Sequence, residues 1–191
     1  MTSIRLDREL VEALLSESIE PEDENTLADQ VSRILPFHAM LPNSQAGDLS
    51  RLTAHLGGER ELLEWLARRP GRPRLVAHLY RLIWLLDEYS ADPAVVSALT
   101  EIRTEHEPIP PIVGEHLTPD LDDASLAGLA WAIEALAGDD RLSTATSLAI
   151  GAAELLERIA LRARHTDPGF GALADEVARL RTGIAEAHGR L

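Results

Sequence analysis

Cysteine and lysine are both missing from this 191-residue chain. Without cysteine there is no disulfide, no thiol nucleophile and no thiolate metal site. Without lysine there is no Schiff-base amine and no phosphate-gripping P-loop lysine; all 18 basic residues are arginine. Aromatic residues make up 4% of the chain, and neither they nor the β-branched residues gather into an alternating, strand-like run. No window holds the roughly 20 consecutive apolar residues of a membrane span. The N-terminus is charged and amphipathic, unlike a secretory signal. A cytoplasmic setting and no membrane association are therefore expected.

What the chain does have is leucine, alanine and acid. Hydrophobic residues form 45% of it, enough for a substantial core, and leucine and alanine are strong helix formers. The composition predicts an all-α protein: an antiparallel bundle of about seven to nine helices, little or no sheet, in a single domain over residues 1–191, with an acidic helical hairpin (1–47) packed on a 48–191 core. Net charge is −14. Residues 1–35 carry nine Asp/Glu against three Arg. Such a surface repels nucleic-acid phosphates and anionic lipid; a basic partner, or simple solubility, fits it better. Nucleic acid is not an expected partner.

Apolar spacing predicts helices over about 6–19, 26–35, 48–57, 59–69, 73–89, 93–104, 123–137, 140–164 and from Phe170 to the end. The acidic stretch Glu20–Glu24 is read as the stop of the first, and 36–47 as a loop. Asp48 is read as a helix cap, Gly57-Gly58 as a stop. Asp92-Pro93 and Asp167-Pro168 read as a cap followed by a first-turn proline. The 73–89 helix is the most apolar, and is expected at the hub of the core with Trp84 inside. In the last helix Phe170, Leu173, Val177, Leu180 and Ile184 recur at spacings of three and four. That seam suits another helix, and its run to the chain end predicts a homodimer built on it.

Several segments carry candidate chemistry. Glu105-His106 and Glu115-His116, with Asp120, flank a stiff proline-rich centre, and loops of this length often act as lids or binding loops. Carboxylate and imidazole together could shuttle a proton or meet a cation, although a solvated connector explains them as simply. His78 and Arg81 share the polar strip of the 73–89 helix and could line an inter-helix pocket with the 105–120 loop; long polar residues at a core edge also snorkel to water. Arg68, Arg69, Arg72 and Arg74 form the one basic island. It resembles an AT-hook, except that Pro70 stands where the first arginine of the core should be; arginines near a helix C-terminus also complement its dipole.

No His-x-x-x-His or Glu-x-x-His occurs, so neither zincin-like nor di-iron bundle spacing is present. Gly169-Phe-Gly171-Ala-Leu-Ala174 matches a dinucleotide fingerprint in letters only, because a helix and not a strand precedes it. Glu61 and Glu64 before Asp87 and Glu88 resemble the paired acidic helices of helical nucleotide pyrophosphatases, without an acidic i, i+3 spacing in the second pair. No cofactor or metal is expected. The sequence points to a non-catalytic interaction protein, such as an adaptor, regulator or immunity-type partner. The alternative is an enzyme or small-molecule binder using the His78–Arg81 pocket.

Overall fold

The structure, a computed structural model, describes residues 5–105 and 142–189. The chain is all-α: the described residues form eight α-helices and no strand. No helix among them is long and apolar enough to cross a membrane. The chain divides into two compact units, with the boundary between His78 and Leu79.

The first unit begins with α1 (Arg8–Leu15), capped by the Asp7 carboxylate, which accepts from the Glu9 N–H. It ends earlier than its apolar spacing suggests, at Ser16, where the chain turns through Glu17. α2 (Pro21–Ile34) starts five residues before the expected position. The acidic stretch read as a stop is its first turn: Pro21 supplies a preset φ and no orphan N–H, and Glu22, Asp23 and Glu24 face the positive end of the helix dipole. The supposed loop after it is a 3-10 turn, Leu35–Met40, followed by α3 (Asn43–Leu56). Asp48 is therefore not a cap; it lies inside α3 and is buried. α3 stops at Gly57 as expected, because φ there is +111°, a conformation costly for any residue with a Cβ. α4 (Glu59–Ala67) follows directly.

Long-range polar contacts hold these short helices in register. Gln45 Oε1 accepts from the Leu6 N–H at 2.7 Å, and Gln30 Oε1 from the Asp7 N–H at 2.8 Å, so two glutamines satisfy the backbone entering α1. Arg51 forks onto Glu12 at 2.7 and 3.2 Å, and this fork holds the Glu12 carboxyl below the usual carboxylate range. Glu24 accepts from the Trp65 indole N–H at 2.7 Å and pairs with Arg69. Beneath these contacts Val11, Leu27, Val31, Leu52 and Leu66 are fully buried.

α5 (Arg72–Tyr89) contains the boundary between the units. Leu75, Val76, Leu79, Leu82, Ile83, Leu85 and Leu86 along it are buried, as its apolar pattern requires. Trp84 departs from expectation: it is only half-buried, and the indole deep in the protein is Trp65, at 3% exposure. Trp65 lies in the more charged of the two surroundings, yet it is buried with its N–H satisfied by Glu24.

In the second unit, α6 (Pro93–Thr104) starts as read, with the Asp92 carboxylate accepting from the Ala94 N–H at 2.8 Å. Asp167 makes the corresponding bond to the Gly169 N–H, but it closes a turn, and the helix proper begins at Phe170. α7 (Leu142–Ala163) and α8 (Phe170–His188) form a hairpin. The small residues of α7, Ala145, Ala149, Gly151, Ala152, Ala153 and Ala160, are buried and permit close helix approach. The expected helix over 123–137 lies outside the described residues. Arg181 pairs with Glu157 across the hairpin at 3.1 Å, and Arg162 ties α7 to Glu105, the residue that ends α6, at 2.7 Å.

Candidate functional site

The basic island does not survive folding as a patch. Arg69 turns inward, its guanidinium 5.4 Å from the Trp65 ring centre and paired with Glu24. Arg74 donates from Nε to the Ala67 carbonyl at 3.1 Å, closing the C-terminal end of α4. Arg72 is half-buried, which leaves Arg68 as the exposed member of the four. Of the four, Arg74 closes the turn between α4 and α5, and Arg69 ties it to α2.

His78 and Arg81 fall on either side of the unit boundary. His78 is half-buried; desolvation, and then the Arg74 guanidinium, hold its imidazole below the ordinary range. Arg81 is committed to Glu176, donating from Nε at 2.9 Å and from its terminal nitrogen at 2.7 Å. Glu105 is committed to Arg162. His106, Glu115, His116 and Asp120 lie outside the described residues. Glu61, Glu64, Asp87 and Glu88 are exposed, and Glu64 faces Arg60 at 3.4 Å. Among the described residues, no group of three or more His, Asp or Glu stands close enough to hold a metal ion.

Phe170, Leu173, Val177, Leu180 and Ile184 are all buried, and α8 packs along α7. The stripe that suggested a homodimer is covered within the chain. Spacing alone cannot distinguish a seam for a second copy from one for the preceding helix; the short 164–169 connection decides it.

The feature that remains exposed and strongly charged is the corner between α1 and α2. No basic residue occurs between Arg8 and Arg33. Glu17, Glu20, Glu22 and Asp23 are exposed there. Glu22 and Asp23 have a structural reason to be acidic, at the start of α2. Glu17 has none. It follows the C-terminal end of α1, where the helix dipole disfavours a carboxylate. Its φ is +57°, the left-handed region that favours glycine, and it is the only non-glycine among the described residues with positive φ. The turn is fixed from both sides: the Glu17 N–H donates to Leu14 O at 3.0 Å, the Ser18 N–H to Ala13 O at 2.9 Å, and the Ser16 hydroxyl to Glu12 O at 2.8 Å. The backbone is thus fixed at Glu17, and an exposed carboxylate stands at a position where backbone and dipole both oppose it. Sequence reading noted the acidic bias but missed this residue, because left-handed geometry at a non-glycine has no signature in the letters.

Comparison with protein-family models, with curated proteins and with solved structures finds no match to this chain.

Proposed function

We propose that this chain is a non-catalytic interaction protein, an adaptor, regulator or immunity-type partner, that engages a basic protein segment through the acidic corner between α1 and α2. The observation that carries the reading is Glu17. Local strain persists where the surrounding structure enforces it, and such positions concentrate at functional sites. A glycine would relieve the backbone, yet the exposed residue is a carboxylate beside Glu20, Glu22 and Asp23. A fixed cluster of like charge steers an oppositely charged partner and speeds encounter. Net charge of −14 extends the same field. A cytoplasmic setting belongs to this proposal.

The test is affinity capture from the native host with the unmodified chain and with a variant carrying Glu17→Gln, Glu20→Gln and Glu22→Gln. The replacements keep size and remove charge. The account expects a basic protein that the unmodified chain retains at low salt and the variant loses. Equal retention by both would remove the corner from the interaction.

A further inference from the structure

The first unit contains a polar cleft of about 500 Å³, lined by Arg5, Leu6, Asp7, Arg8, Gln30, Ser44, Gln45 and Asp48, within the size range of small-molecule sites. Two of its polar residues are buried, Gln45 and Asp48, and the Asp48 side chain is 10% exposed. Among the described residues the Asp48 carboxylate accepts no hydrogen bond. The nearest cation, Arg51, stands 3.7 Å away and is already forked onto Glu12.

The glutamines add donors. Each amide oxygen is fixed by the backbone N–H it accepts from, Leu6 for Gln45 and Asp7 for Gln30. That assignment leaves both NH₂ groups as donors with no acceptor among the described residues. Arg5 and Arg8, both exposed, also line the cleft. The lining is electrically balanced: Asp7 and Asp48 offset Arg5 and Arg8. A ligand of one net charge would meet repulsion somewhere in it.

We infer that this cleft binds a small zwitterion, an amino-acid-like molecule whose ammonium pairs with the Asp48 carboxylate and whose carboxylate meets the Gln30 and Gln45 NH₂ groups and the Arg5 and Arg8 guanidiniums. The ammonium supplies the donors that Asp48 lacks. The anion takes the donors that the glutamines leave unused. Charge-assisted bonds of this kind are the strong ones.

The side-chain amide resonances of Gln30 and Gln45 report occupancy directly by ¹⁵N–¹H NMR. The probes are the ω-amino acids from glycine to ε-aminocaproate, with n-pentylamine and caproate as controls carrying a single charge. At least one zwitterion is expected to shift both Gln signals saturably, binding at least about tenfold tighter than either control. Asp48→Asn, nearly identical in shape, should weaken that binding by about tenfold or more. Arg8→Gln, at an exposed position, should weaken the zwitterion but not n-pentylamine. Absence of saturable shifts with every zwitterion overturns the inference. So does binding of caproate as tight as that of the best zwitterion, or unchanged affinity in Asp48→Asn. If Asp48→Asn loses its helical circular dichroism, the Arg8→Gln comparison decides: unchanged zwitterion affinity there overturns the inference.

Discussion

Replacing Glu17 by glycine should make the protein more stable while making it a worse binder. At φ +57° a residue with a Cβ sits in left-handed geometry, which costs roughly 1–2 kcal/mol for an L-residue. Glycine removes that cost but has more freedom to lose on folding, a penalty of roughly 0.5–1 kcal/mol. The net gain is about 0.5–1 kcal/mol, with a few tenths more from removing a carboxylate at the negative end of α1. No contact offsets it, since Glu17 is exposed and its side chain makes no bond among the described residues. With a urea m-value of about 2 kcal/mol per molar, the midpoint should rise by about 0.4–0.6 M. Glu17→Ala separates the causes: alanine keeps the backbone penalty and removes the charge, so it should gain only the dipole part. Equilibrium urea unfolding followed by circular dichroism at 222 nm gives all three midpoints. A Glu17→Gly midpoint at or below that of the unmodified chain would refute the strain argument, and with it the reason for assigning the corner a function.

Other consequences are independent of that corner. Glu24→Ala strands the buried Trp65 N–H and the Arg69 guanidinium, and should cost about 2–3 kcal/mol in urea unfolding, against about 1 kcal/mol for Glu24→Gln, which keeps an acceptor; equal losses would show that charge, not the hydrogen bond, dominates. Ile184→Asp places a charge at a fully buried site and should unfold the second unit, at a cost above about 3 kcal/mol; a folded variant with reduced mass in light scattering would restore the dimer seam. Desolvation, and then the Arg74 guanidinium, lower the His78 pKa in the folded chain, whereas in the unfolded chain it takes a proton near about pH 6.5. Its contribution is therefore complete above that pH and is lost as pH falls through the lowered folded-state value. His78→Gln should lessen the loss of stability between neutral and mildly acidic pH, and an unchanged acid limb in urea titrations would contradict this.

The helical class and most element existence were legible because apolar spacing and start and stop residues agree with each other. Asp92-Pro93 and Gly57 place their boundaries within a residue. The misreadings share a cause: a residue type with two structural uses. Glu20–Glu24 could end one helix or begin the next, and Pro21 makes it a beginning. Asp48 could cap a helix or lie within one, and only the fold buries it. The basic island looks continuous along the chain, yet Arg69 and Arg74 turn away to Glu24 and Ala67. The polar cleft left no trace in the spacing, because Gln30 and Gln45 meet the start of α1 only through tertiary contact. The seam of α8 was legible as a seam, but not which helix would fill it.

The most direct test of the acidic-corner account is the association rate of this chain with its captured partner as a function of ionic strength. Stopped-flow or surface-based kinetics suffices. Charge steering requires the rate to fall steeply as salt shortens the Debye length from about 30 Å at 0.01 M to about 8 Å at 0.15 M. The account predicts a slower rate and a shallower salt dependence when Glu17, Glu20 and Glu22 are replaced by glutamine, with dissociation less affected. A rate indifferent to salt, or one whose salt dependence is the same with and without those three carboxylates, would contradict it.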